Sequence, residues 1–160
     1  MNKLEEIYLF NKTLLGKLNV EYQEWHHEPI LDFTTDERVA KELGWTGTHT
    51  KSLFLQLKGA GFALFLTDKD SRLDSKGIKA LLGKRPSIVS NEAMSEVTGC
   101  VAGAVCPFGL PVEIPIVVDR RLYGLEQLLY TPGHPECTFG IAASDLHIVL
   151  SALNNPIFEL

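Results

Sequence analysis

The 160-residue chain has few cysteines and no long apolar run. Cys100, Cys106 and Cys137 are odd in number and show no CxxC spacing, so a disulfide framework is excluded and free thiols in a reducing compartment are expected. No stretch is long and apolar enough to cross a bilayer. The opening residues, MNKLEEIYLF, carry acids where a secretory signal would be basic and then apolar; a cytoplasmic protein without membrane contact is expected. An excess of positive charge is also missing. The net charge is −5, which excludes a nonspecific polyanion binder and leaves room only for a small local basic patch. There is no internal repeat, no low-complexity segment and no linker, so residues 1–160 are expected to form one domain.

The motifs of several chemistries are absent too. The five histidines form neither HExxH nor HxxxH, and His134 and Cys137 in HPEC have no second pair at zinc spacing, so no metal is expected. HPE without a downstream PCxxC is not a zinc-deaminase signature. Neither GxxxxGK[ST] nor GxGxxG occurs, so neither common phosphate loop is present. Cys106 and His134 form a thiol–imidazole pair only if the fold brings them together; otherwise Cys106 is a small buried hydrophobe.

What is present is a regular alternation of helix and strand signals. NKLEEIYLFNKTLLGKL has helical spacing at Leu4, Ile7, Phe10, Leu14 and Leu18, with Asn2 as cap and Glu5 three residues on. VEYQEW reads as a strand, and TTDERVAKELGW as a short helix with Thr35 as its cap. KSLFLQL and FALFLTD, joined by KGAG, predict a hairpin. DSKGIKALLG and SNEAMSEVTG predict helices ending at Gly83 and Gly99, the second capped by Ser90 or Asn91. IPIVVD, LEQLLYT and CTFGIAA read as strands, with PGHPE turning between the last two, and SDLHIVLSAL as a closing helix capped by Ser144. Paired strands with helices between them indicate an α+β fold.

One segment fits no regular element. GAVCPFGLP, residues 103–111, is mostly apolar yet holds two glycines and two prolines, which makes it a poor helix and a poor central strand. Such a turn lets the main chain approach a ligand, and its N–H groups can act as fixed dipoles toward an oxyanion or an ester carbonyl. The plain alternative is a tight turn into the strand at Ile114.

Taken in order, HEP, TKSLFL, RLDSKGIKALLG, VTGCVAGAVCPFGLP, VVDRRL and PGHPECTFGIAASDL resemble the YbaK / prolyl-tRNA synthetase-associated editing domain family from about His27 to Leu150. The resemblance implies a mixed α+β fold on a curved, barrel-like sheet. It implies a freestanding aminoacyl-tRNA deacylase that hydrolyses a mischarged small amino acid, alanine or cysteine, from tRNA, with tRNA-Pro the expected carrier. The partners it implies are the aminoacylated acceptor end and, as a candidate, prolyl-tRNA synthetase. No metal, cofactor or covalent nucleophile is implied: water attacks the ester, assisted by a ribose hydroxyl of the substrate. Lys51 would hold the terminal adenosine, the amides of Gly103 and Ala104 would face the oxyanion, and Val105, Cys106, Pro107, Gly109 and His134 would shape the substrate pocket. Ala102, Ala104 and Val105 are small enough for a pocket that shuts out proline. Lys79, Lys84 and Arg85, or Arg120 and Arg121, are candidate contacts for tRNA phosphates. Two other readings are carried forward: a non-catalytic binder of tRNA ends or of a synthetase, and a Cys/His hydrolase using Cys106.

Overall fold

The computed structural model describes residues 2–160. Among them, five helices (α1, Lys3–Lys17; α2, Phe33–Leu43; α3, Ser75–Leu82; α4, Asn91–Thr98; α5, Leu146–Ser151) alternate with eight strands. The strands are β1 (Tyr22–His26), β2 (Thr48–Leu57), β3 (Phe62–Asp68), β4 (Pro86–Ile88), β5 (Ile116–Val118), β6 (Gln127–Tyr130), β7 (Cys137–Ala142) and β8 (Ile157–Glu159).

Local chemistry sets most boundaries. Asn2 caps α1 by accepting from the Glu5 amide at 2.8 Å, and Ser90 caps α4 through the Ala93 amide. Gly83 and Gly99 end α3 and α4 in the left-handed region, at φ 76° and 79°. Two caps differ from expectation. α2 is capped by Asp32, whose carboxylate accepts from the Thr35 amide at 2.8 Å, so the helix starts two residues before Thr35. Ser144 caps nothing: it lies in a 3-10 turn, Ala143–Asp145, that runs straight into α5.

The predicted hairpin forms, with β2 and β3 antiparallel from Thr50 opposite Asp68 to Gln56 opposite Phe62. The full sheet is mixed, in the order β1-β7-β6-β2-β3-β5-β8, with β4 on β2. Three of its pairings are parallel, β2 with β6, β3 with β5 and β5 with β8. The sheet is open, not a closed barrel: β1 and β8 stand at its two ends. β4 and β8, three residues each, lie in no apolar run of the kind that marks the equally short β5 in IPIVVD; their partners define them.

Each face of the sheet buries its own cluster. Leu55, Phe65 and Val117 face α3 at Ile78. The larger cluster joins α1, α4 and α5 to the other face and takes in the apolar loop at Cys106, Phe108 and Leu110. Phe108 is 2% exposed and packs edge-on against Tyr130, with ring centroids 5.1 Å apart. The greasy side chains of the loop are therefore core, and a Phe→Ala change at such a site costs about 3–5 kcal/mol.

A single polar side chain holds this core together. Asn11 of α1 is fully buried, and its amide nitrogen donates to the carbonyls of Ile7 at 2.9 Å and Phe108 at 3.0 Å. Its oxygen accepts from the Tyr130 hydroxyl at 3.0 Å, and Cys106 Sγ lies 3.4 Å from its nitrogen. Asn11→Ala strands the Tyr130 hydroxyl and leaves the Phe108 carbonyl with only the weak Cys106 thiol donor. We expect destabilisation of about 1–3 kcal/mol, the cost of a stranded buried group, measured as a lower urea midpoint with an unchanged m-value.

Candidate active site

β2 has two edges, and only one is fully paired. The Leu57 amide donates to Gly61 O and the Lys69 amide to His49 O, both at 2.9 Å, so odd-numbered residues of β2 bond toward β3. Even-numbered residues bond the other way, as Phe54 O does with the Val89 amide at 3.2 Å. That second edge is occupied by β6 at Thr48 and His49 and by β4 at Leu55–Leu57. No strand pairs the stretch between, so the main-chain N–H and C=O of Ser52 face an opening in the sheet.

A cavity of about 440 Å³ occupies this opening. Thr50–Phe54 form its floor, Ile88 and Val89 close one side and Tyr130 and Thr131 the other. The lining also takes in Asp36 and Phe33 of α2 and the loop at Gly103, Ala104, Val105 and Pro107. The fold thus brings Lys51 together with the glycine–proline loop. Lys51 is half-buried and forms no ion pair among the described residues, whereas Lys69 on the same cavity lies 4.0 Å from Asp36.

The loop serves two surroundings. Gly103, Ala104, Val105 and Pro107 border the cavity while Cys106 and Phe108 lie in the core. Gly103 has φ +85°, and a Cβ there would sit 2.1 Å from Leu31 O, so only glycine allows the loop to approach the chain before α2 this closely. The amide of Ala104 is not free: it donates to Val101 O at 2.9 Å. The expected pair of donors at Gly103 and Ala104 is corrected accordingly. The amides of Gly103 and Val105 have no protein partner among the described residues and flank the one that does.

Three expected pocket residues stand elsewhere. Cys106 is 1% exposed, its thiol donates to Phe108 O at 3.3 Å, and burial pushes its pKa well up, so it is neither a pocket wall nor a thiolate nucleophile. Gly109 turns the chain on the core side at φ +106°, against the Phe10 ring. His134 is absent from the cavity wall. Glu5 of α1 draws it away through Nε2 at 2.8 Å, and its ring packs on Tyr8 at 5.4 Å. Cys106 and His134 share no contact, which removes the thiol–imidazole pair. Of the basic residues, Arg121 is tied to Asp119 at 2.6 Å and Asp68 at 3.6 Å, while Lys79, Lys84, Arg85 and Arg120 are exposed.

Two side chains on the cavity were not singled out from sequence. Asp36 and His49 meet there, with His49 Nδ1 hydrogen-bonded to Asp36 Oδ1. Thirteen residues separate them, and nothing local in the sequence marks them as partners. Away from the cavity, Cys137 approaches Glu24 and His26 rather than His134, with one ligand atom from each within 4.8 Å of the others. Among the described residues this is the one cluster with the make-up of a metal site, and it is remote from Lys51 and the loop in register, lying on β1 and β7.

The family model of the aminoacyl-tRNA editing domain matches residues 32–147, and the chain belongs to this family of aminoacyl-tRNA deacylases. The uncharacterized protein YwhH of Bacillus subtilis (strain 168) is 26% identical over 114 residues, 68% of this chain and 73% of its own. The multifunctional Ser/Thr-tRNA deacylase ProXp-y of Escherichia coli (strain K12) is 28% identical over 117 residues, 69% of this chain and 68% of its own. Among crystal structures, the hypothetical protein APE2540 superposes with TM-score 0.77 at 20% identity, covering 93% of this chain and 97% of that one. A protein proposed as a trans-editing enzyme for prolyl tRNA synthetase superposes with TM-score 0.72 at 22% identity, covering 96% of each chain. Both structural likenesses bear on the fold alone.

The geometry makes two checkable statements. Gly103→Ala forces a left-handed alanine against Leu31 O and should destabilise the fold by about 1–3 kcal/mol, read as a lower midpoint in chemical denaturation. The Cys106 thiol should resist a thiol-labelling reagent in the native protein and react once the chain is unfolded, with the labelled position located by mass spectrometry.

Proposed function

We propose that this protein hydrolyses the ester between a small, wrongly attached amino acid and the terminal adenosine of a tRNA, acting as a separate protein rather than as part of a synthetase. The observation that supports the reading is one cavity whose lining includes Lys51, the open stretch of β2, and Gly103 and Val105, whose amides have no protein partner among the described residues. Lys51 is the group to hold the phosphate or ribose of the terminal adenosine. The two amides are the donors for the oxyanion that forms when water adds to the ester carbonyl. Losing one such donor costs about 2.7–4 kcal/mol of transition-state stabilisation in a comparable hydrolase.

The aminoacyl side chain would lie toward Val105, Pro107 and the open stretch of β2. A synthetase site discriminates one methylene by only about 1–3 kcal/mol, so a second, smaller site is the physical remedy for small competitors. Alanine and cysteine suit the apolar wall. Serine and threonine join them because one relative is named a Ser/Thr-tRNA deacylase and because the hydroxyls of Thr50, Ser52 and Thr131 stand on residues bordering the cavity. tRNA-Pro is the proposed carrier, in keeping with the fold shared with a protein proposed to edit for prolyl tRNA synthetase. With a net charge of −5, the tRNA footprint should be small and confined to the acceptor end.

The test is a panel of Ala-, Cys-, Ser-, Thr- and Pro-charged tRNA-Pro under single-turnover conditions. At least one of the first four should be deacylated and the proline ester left intact. Lys51→Ala should lower the rate by at least about 100-fold, the scale of one lost charge-assisted contact in a dry site, and a chelator should change nothing. Binding of charged tRNA without release of any amino acid would favour the non-catalytic binder instead.

A further inference from the structure

We propose that His49, oriented by Asp36, is the general base that activates water in this cavity; the assignment rests on the deacylase reading above. His49 and Lys51 are two apart on β2 and so leave the same face of the strand. Both side chains of the Asp36–His49 pair are close to nine-tenths buried, at 8% and 11% exposure, yet both border the cavity.

The pairing defines which nitrogen can act. His49 Nδ1 donates to Asp36 Oδ1, which leaves the lone pair of the neutral ring on Nε2. Nε2 has no protein partner among the described residues. It is also not a sealed, unpaired atom, because the one buried side-chain nitrogen or oxygen found without a partner is Trp45 Nε1. His49 Nε2 therefore opens onto solvent space. His49 lines the cavity that Lys51 and the loop also line, and a second recess at Trp45 and Lys69 as well.

The ring is held by Asp36 at Nδ1 and by an aromatic neighbour. Trp45 packs edge-on against it at 6.0 Å. The charged groups around it are Asp36 from α2, Lys69 with Asp68 and Asp70 from the end of β3, and Lys51 from β2 itself. Lys69 also lies 4.0 Å from the second oxygen of Asp36, so that carboxylate is held by His49 on one oxygen and by a lysine near the other.

The step balances without any cofactor. Nε2 takes a proton from water as the water oxygen bonds to the ester carbonyl carbon, and the carbonyl electron pair moves onto its oxygen, facing the loop amides. On collapse the bond to the ribose oxygen breaks, and that oxygen takes the proton back from Nε2. One water is consumed, the free amino acid and a free ribose hydroxyl are released, and the imidazole returns to its neutral form. Asp36 does not touch substrate; it is a positioning residue.

The experiment is single-turnover deacylation of the best substrate from the tRNA panel, measured against pH for the parent, His49→Ala, His49→Asn and Asp36→Asn. The parent rate should rise with pH along an acid limb of unit slope. His49→Ala should lose about 10²–10⁴-fold at neutral pH and lose that limb, and added imidazole should restore part of the rate. His49→Asn keeps a donor toward Asp36 and preserves the fold, so it should melt like the parent and still be slow. Asp36→Asn should lower the rate and displace the acid limb. A folded His49→Asn or His49→Ala protein within threefold of the parent, or one that keeps the acid limb, overturns the assignment. A parent that releases no amino acid from any tRNA of the panel overturns the deacylase reading and this assignment with it, whereas an active parent with indifferent His49 variants overturns this assignment alone.

Discussion

The buried amide of Asn11 is the constraint on which the cavity wall depends. One side chain from the first helix reaches the carbonyl of Phe108 in the loop and the hydroxyl of Tyr130 at the end of β6. Without it, a segment rich in glycine and proline has no ladder to join and no helix to continue. Such a segment pays a large conformational entropy unless its ends and its middle are fixed. Phe108 and Cys106 supply the apolar half of that fixation by entering the core, and Asn11 supplies the directional half. Anchoring Cys106 and Phe108 in the core leaves Gly103, Ala104, Val105 and Pro107 on the cavity.

The opposite wall depends on an incomplete sheet. A strand of ten residues is shared between two short partners that do not meet, and the main-chain groups left between them are the ones a ligand can use. Burying such groups without partners costs roughly 1–3 kcal/mol each, so sheets rarely leave them open except beside solvent or a ligand. The gap and the loop therefore belong to the same design: one contributes an unpaired strand edge, the other unpaired amides, and Lys51 stands between them.

The electrostatics are local. A chain of net charge −5 gathers Lys51, Lys69 and His49 on one cavity, with Asp36 as the single carboxylate buried among them. Other basic residues are spent on structure, as Arg121 is on Asp119, whose carboxyl sits below the usual carboxylate range: burial opposes the shift, but hydrogen bonds from Arg121 and Thr67 outweigh it. A chain of net charge −5 that offers only isolated lysines at its cavity suits recognition of a single nucleotide end better than a long stretch of nucleic acid.

Much of this was legible in the sequence, because it depends on neighbours along the chain. Helical spacing, the Asn2 and Ser90 caps, the glycine stops at 83 and 99, the β2–β3 hairpin and the odd character of residues 103–111 are all local properties. Lys51 and the glycine–proline loop stood out through their order in a family pattern. Tertiary structure alone decided the rest, because it rests on contacts between distant residues. It sent Cys106 into the core and His134 to Glu5, engaged the Ala104 amide, opened the edge of β2 and set His49 against Asp36. A residue's type limits the chemistry it can perform; whether it faces solvent, a partner or the interior is settled only when the strands find their register.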